Sequence, residues 1–173
     1  MKRIFCLFLV LVAAVSMCAC SFGNRSTLLE PVEFIYPRKS ADFVYGTDQS
    51  IFDTEFREAS GHREDLNYLL SMYLRGPQAD HLRSPFPTGC TLESVSCEEE
   101  TLHLILSREF VLLENTELTI ACAALTKTCL SLADVQQVHI EATGYQKSIN
   151  IILDADSLLL SDYSTFEAAP VTE

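Results

Sequence analysis

The chain has 173 residues, 48% of them apolar, with 24 acidic and 12 Lys+Arg side chains. This length suits one domain, and this apolar content supplies a core and argues against global disorder. The formal net charge of −12 argues against a nucleic-acid partner, since a phosphate backbone would be repelled rather than steered in.

The N-terminus reads as an address rather than as fold. Lys2-Arg3 is a positive n-region, and Ile4 to Val15 is an apolar stretch of 12 residues. That length fits a secretory signal and is short of the roughly 20 residues a membrane-spanning helix needs. Ser16-Met17-Cys18-Ala19-Cys20-Ser21 follows. It resembles a bacterial lipoprotein signal, with small Ala19 directly before Cys20 and polar Ser21 after it. Bulky Met17 makes Cys18 the weaker site; an ordinary cleaved signal and an uncleaved anchor are the other readings. The resemblance implies cleavage before Cys20, lipid attachment to its thiol, and stable membrane anchoring through two or more acyl chains. Residues 1–19 are then the signal peptide and 20–30 a short tether. No acid precedes Glu30, so the remainder carries a net charge of −14.

Beyond the tether, Pro31 to Tyr36 reads as a strand with Val32, Phe34 and Tyr36 on one face. Pro37 to Ser50 is turn-rich, with Phe43-Val44-Tyr45 as a short strand candidate. In Ile51 to Glu58, Phe52, Thr54 and Phe56 alternate with Asp53, Glu55 and Arg57. This predicts a half-buried strand. From His62 to Arg75 the period becomes helical, with Leu66, Leu69, Leu70, Tyr73 and Leu74 on one stripe. Gly76 suits a left-handed helix stop, and Pro77 forbids continuation. Gln78 to Leu82 is a crossing. Pro85, Pro87 and Gly89 then turn the chain into the next strand.

Thr91 to Glu98 and Thr101 to Ser107 predict a hairpin through Glu98-Glu99-Glu100, a solvated acidic turn. Leu102, Leu104 and Leu106 face inward and His103 outward. Asn115-Thr116 offers a cap for a second helix from about Glu117 to Leu132. Its stripe is Leu118, Ala121, Cys122, Leu125, Cys129 and Leu132. Asp134 to Thr143 is a strand with Val138 and Ile140 inward and His139 outward, ended by Gly144. Ile149 to Leu153 is a further strand candidate. In the tail, Leu158-Leu159-Leu160 is a docking candidate, and about the last ten residues are expected to be loose.

The cysteines left after the signal and anchor are Cys90, Cys97, Cys122 and Cys129. Cys122 and Cys129 would lie about 10 Å apart on one helix, and Cys90 and Cys97 about 20 Å apart along a strand. Only strand-to-helix pairs could bridge. Buried thiols acting as small apolar side chains are the simpler reading.

Catalytic motifs are missing. No H-E-x-x-H, C-x-x-C, Walker loop or dinucleotide fingerprint occurs. Asp80, His81 and Ser84 lack the strained elbow a serine nucleophile needs. Asp154 and Asp156 read as a turn. His103 and His139, outward on two strands, are expected to be a solvated surface pair. No catalytic residue, cofactor or metal site is therefore expected, and the chain is read as no enzyme.

The element order suggests an α+β fold: a two-layer α/β sandwich, its mixed sheet carrying both helices on one face. Several stretches then carry a family resemblance. They are Tyr73-Leu74-Arg75-Gly76-Pro77 at the first helix end and Pro85-Phe86-Pro87-Thr88-Gly89-Cys90-Thr91-Leu92-x-Ser-Val95 at the corner. Leu104-x-Leu106-Ser107-x-Glu109-Phe110 comes next, then Ala124-Leu125-x-x-Thr128 with Val135, Val138, Ile140 and Gly144. In this order, from about Val32 to Gly144, the chain resembles the GerMN domain of sporulation and spore-germination lipoproteins. It departs at the hairpin turn, where the family often has Asp or Asn with Gly.

The resemblance implies a βαββαβ core like that of ring-building motifs, placed here at residues 31–153 with 154–173 as a partly flexible tail. It implies a non-enzymatic lipoprotein on the extracytoplasmic face of the cell membrane. Such a protein would work through contacts with envelope or sporulation proteins, or by self-association. An edge or hairpin face would be the contact surface, and the exposed loop with Gln78, Asp80, His81, Arg83 and Ser84 is a candidate place for a partner to touch. A cell-wall-associated ligand-binding or hydrolytic surface lipoprotein is the other reading, supported by compartment alone.

Overall fold

The computed structural model describes residues 31–39, 50–59 and 61–161. Cys20, the signal, the tether, Phe43 to Tyr45 and the last residues lie outside that range. Strands β1 (Pro31–Pro37) and β2 (Phe52–Glu58) pair antiparallel as a sheet of their own. Strands β3 (Leu92–Glu98), β4 (Thr101–Leu106), β5 (Gln137–Thr143) and β6 (Ser148–Asp154) form a second sheet in that spatial order. It is mixed: β3–β4 and β5–β6 are antiparallel, and β4–β5 is parallel. A parallel pair needs a long crossover, and the helix α2 (Asn115–Leu132) supplies it. The shorter helix α1 (Leu66–Leu74) joins β2 to β3. The fold is α+β, and the first two strands stand apart from the four-stranded sheet.

Alternation along the strands gives the large sheet one dry and one wet face. Leu102, Leu104 and Leu106 lie in register with Val138, Ile140 and Ala142, and all are almost fully buried. Leu69, Leu70 and Tyr73 of α1 and Ala121, Cys122, Leu125 and Cys129 of α2 join the same core. Both helices therefore cover that one face, as the predicted stripes require. Truncating one such leucine to alanine costs about 2–5 kcal/mol. The opposite side of α2 is also covered. Ala123 and Ala124 pack with Phe52 and Leu158 in a second cluster, so the helix is apolar on two sides and runs through the interior. Leu158 belongs to a short 3-10 helix, Asp156–Ser161, that opens the tail.

In strand β2 the charged face turns to the main core around Glu55 and Arg57, while Phe52 is buried in the second cluster. Phe56 is 61% exposed, while Glu55 and Arg57 are buried. The cause is the register with β1. Val32, Phe34 and Tyr36 point into the core and stand opposite Arg57, Glu55 and Asp53. Directly opposed residues share a face, so the charged set follows the aromatic set inward.

The free edge of β1 meets α2, whose hydroxyls satisfy it. Thr128 Oγ1 accepts from the Ile35 amide at 3.0 Å and donates to the Ile35 carbonyl at 3.4 Å. Ser131 Oγ donates to the carbonyl of Glu33 at 3.2 Å. Backbone groups that an extra strand would have paired are thus paired by a helix surface.

Two helix starts differ from expectation. In α1, Asp65 caps by accepting from the Tyr68 amide at 3.0 Å, so the helix opens at Leu66 rather than His62. In α2, Asn115 does not act as the cap. It takes a left-handed φ of 48°, which asparagine tolerates, and the helix begins there, two residues early.

Candidate functional site

The corner from Gly76 to Cys90 joins α1 to β3. Gly76 has φ +92°, as a left-handed helix stop requires. The buried pair Arg57–Glu55 fixes both sides of this stop. Arg57 Nε donates to Glu55 Oε1. Its Nη2 donates to the Gly76 carbonyl at 2.6 Å and its Nη1 to the Met72 carbonyl at 3.2 Å. Arg57 therefore pairs carbonyls at the end of α1, where a cation also meets the helix dipole favourably. Glu55 Oε2 accepts the amides of Gln78 and Ala79 at 2.8 and 2.7 Å. The guanidinium lies 5.3 Å from the ring centre of Phe34 and 5.7 Å from that of Tyr36. Such a pair is tolerated inside because each charge has hydrogen-bond partners on all sides.

An aromatic stack supports the corner from below. Tyr36 and Tyr73 lie 4.6 Å apart, and Tyr73 meets Phe86 edge-on at 5.3 Å. The Tyr36 hydroxyl donates to the Tyr73 carbonyl at 2.7 Å, and the Tyr73 hydroxyl to the Ile35 carbonyl at 2.8 Å. Burial pushes both phenols well above their ordinary value of 10.0; for Tyr36 the nearby Arg57 opposes it.

The candidate contact residues sit on this braced corner. Gln78, Asp80, His81 and Ser84 are exposed and Arg83 is half-buried. Leu82, 2% exposed, anchors the loop. Backbone bonds from Lys39 to His81 and from Arg83 to Pro37, both 2.9 Å, tie it to the end of β1. Arg83 Nη1 pairs with Glu117 of α2 at 3.0 Å. His81 Nε2 faces Asp53 at 3.4 Å, and Arg38 holds the same carboxylate at 3.1 Å. Ser84 Oγ accepts from the Phe86 amide at 3.2 Å. The loop serine thus serves a local turn, and the histidine is turned toward β2 rather than toward a nucleophile.

The remaining titratable side chains sort by location. The cysteines Cys90, Cys122 and Cys129 are buried and Cys97 is exposed, all of them free thiols. Burial pushes the Cys90 thiol to about 11 and the Cys122 thiol to about 12. Asp154 accepts from the amide and hydroxyl of Ser157 at 2.7 and 2.6 Å, the expected turn. His62 stacks on Tyr68 at 4.2 Å. On the wet face of the large sheet, His103 and His139 are brought together, their Nδ1 atoms 3.1 Å apart. A recess of about 480 Å³ lies between the β1–β2 sheet, the start of α1 and the end of α2, where Phe56 and Arg63 line it. The buried Glu55–Arg57 pair escaped the sequence reading. Its signal was opposite charges two residues apart on one strand face.

Residues 43–148 match the model of the Germane family, described as sporulation and spore germination. The chain belongs to the Germane family. No curated protein sequence matches it. Among solved structures, the tandem GerMN domains of the sporulation protein GerM from Bacillus subtilis are similar, with 17% identity and a TM-score of 0.49. That similarity covers 67% of this chain and 39% of the other. A Clostridium perfringens protein assigned as a lipoprotein is similar at 15% identity and a TM-score of 0.46, covering 75% of this chain and 91% of that one. The Germane chain thus spans well under two thirds of the GerM tandem. Among its described residues, no helix is long and apolar enough to cross a membrane.

Proposed function

We propose that this Germane chain is a lipid-anchored, non-enzymatic assembly module of the sporulation or germination apparatus. It acts through the loop that carries Gln78, Asp80, His81, Arg83 and Ser84. The observation that carries this reading is the bracing of that loop by buried charge. Glu55 and Arg57 fix both its backbone and the preceding helix end, while Gln78, Asp80, His81 and Ser84 stay outward. A preordered polar surface loses little freedom on contact and so suits protein recognition. The family membership supports the process. Membrane anchoring rests on Cys20 and the lipoprotein-like signal around it.

Deletion followed by counts of heat-resistant spores and of germinating spores tests the process. Re-expression of the wild-type chain restores the counts. An Asp80→Ala/His81→Ala/Arg83→Ala chain that folds and reaches the envelope does not. Cys20→Ala moves the chain out of the membrane fraction. Normal counts after deletion, together with loss of a cell-wall hydrolytic activity, overturn the proposal.

A further inference from the structure

The wet face of the four-stranded sheet carries a group of side chains that the assembly role does not use. β4 and β5 run parallel, and His103 is the direct register partner of His139. Period two along β5 sets Glu141 on the same face. The register of β5 with β6 then places Asn150 opposite Glu141, with Ile152 opposite His139. His139 is largely shielded, with its side chain 14% exposed.

The rings face each other through nitrogen. The two Nδ1 atoms lie 3.1 Å apart. Nε2 of His139 lies 2.9 Å from Asn150 Oδ1 and 3.3 Å from Glu141 Oε1. Asn150 Oδ1 is the hydrogen-bonded acceptor, so the ring's proton belongs on Nε2 and its lone pair on Nδ1, directed at His103. An oxygen holding the far N–H of a histidine is the usual device that orients an imidazole toward a metal. Two nitrogens at the ordinary bond length from one zinc ion, in tetrahedral geometry, would be about 3.3 Å apart. The observed separation needs little adjustment to reach that. Glu141, which Asn150 relieves of holding Nε2, completes the set by turning its carboxylate toward the ion; one donor atom from each of the three residues already lies within 4.8 Å of the others.

We propose that His103, His139 and Glu141 form a binding site for a late first-row divalent ion, zinc being the probe. Two imidazoles and one carboxylate favour zinc or copper over magnesium or calcium, which prefer all-oxygen sites. Three protein ligands leave the fourth position open to solvent. The ion would bridge β4 and β5, the one parallel pair in the large sheet. Exposed Ile105 and Ile152 lie on this same face. Neither the family match nor the loop surface bears on this site.

The test is calorimetric titration of the untagged full chain with zinc chloride, alongside His103→Ala, His139→Ala and Glu141→Gln. One equivalent is expected to bind the wild type. Each histidine variant is expected to lose at least tenfold in affinity. Asn150→Ala, which frees the imidazole without removing a ligand, is expected to weaken binding by about tenfold. Imidazole nitrogen NMR on the unmutated chain gives a readout independent of variant folding. Zinc should shift His103 and His139 and leave His62 and His81 in place. Absence of uptake, equal affinity in the histidine variants, or shifts at His62 and His81 instead would overturn the site. Unchanged affinity in Glu141→Gln would overturn the three-residue assignment. Equal binding of magnesium would overturn the chemistry.

Discussion

Arg57 donates to the carbonyl of Gly76 across 2.6 Å, so a charged residue of β2 completes the helix next to it in the chain. The guanidinium is buried with Glu55 as its counter-charge. Removing one partner of a buried pair strands the other, and this costs about 3–5 kcal/mol. Arg57→Ala should lower the urea midpoint accordingly. Arg57→Lys should recover only part, because an ammonium lacks the planar fork that reaches Glu55, Met72 and Gly76 together. If Arg57→Ala unfolds like the wild type, the latch contributes nothing to the corner.

Thr128 offers a test of how β1 is closed. Thr128→Val keeps the side-chain volume and removes the hydroxyl that serves both backbone groups of Ile35. An amide fully buried without a partner costs about 1–3 kcal/mol, and the half-buried Ile35 amide sets the loss at the lower end. Chemical denaturation should show a loss in that range. Hydrogen exchange at Ile35 should accelerate more than exchange at Leu104 in the large sheet.

Gly76→Ala probes the helix stop. A side chain is strained at φ +92°, and its Cβ would lie 3.3 Å from Ser84 Cβ. The left-handed conformation alone costs about 1–2 kcal/mol. The variant should be destabilised by at least that much, and amide shifts should change from Gln78 to Ser84. Retention of wild-type stability would mean that the loop relaxes freely.

Thiol reagents separate the cysteines of the domain. Cys97 lies exposed on edge strand β3 and should be labelled in the native state at pH 8. Cys90, Cys122 and Cys129 should react only on unfolding, since burial denies both access and the thiolate. Rapid native labelling of Cys122, confirmed by peptide mapping, would contradict the packing of α2.

Stability should fall at alkaline pH. The folded state holds the Tyr36 and Tyr73 phenols above 10.0, and the Cys90 and Cys122 thiols near 11 and 12 against 9.0. Above about pH 9 the unfolded chain therefore binds fewer protons than the folded one, and stability drops as pH rises. Their contribution is fully present below pH 9 and is lost progressively above it. Tyrosinate absorbance should show Tyr36 and Tyr73 ionising together with unfolding. A smooth titration of every tyrosine near pH 10 would refute their burial.

Much of this arrangement is legible from residue pattern. Leucines at alternate positions place β4 and leave His103 outside. The stripe from Ala121 to Cys129 places α2, and Gly76 with Pro77 ends α1. Pattern could not decide β2. Alternation of Phe52, Thr54 and Phe56 with Asp53, Glu55 and Arg57 defines two faces but not which one is inward. Register with Val32, Phe34 and Tyr36 decides it, and register is a tertiary fact. The meeting of His103 with His139 has the same origin. Each was readable as outward, but their adjacency depends on parallel pairing across a separation of 36 positions.

The hydroxyl of Thr128 and the backbone of Ile35 are separated by 93 positions in the chain. Contacts of such separation form late, because a long loop must close before they repay its entropy. During synthesis β1 and β2 emerge before α2, and the middle of the β1 edge, the Ile35 amide and the Glu33 carbonyl, gains its partners only when α2 has been made. The first hairpin must therefore wait as an open strand edge, which is the state most prone to pairing with a neighbouring chain. Rapid completion of α2 is thus a condition for orderly maturation, and truncation before residue 128 should yield a sticky fragment rather than a smaller domain.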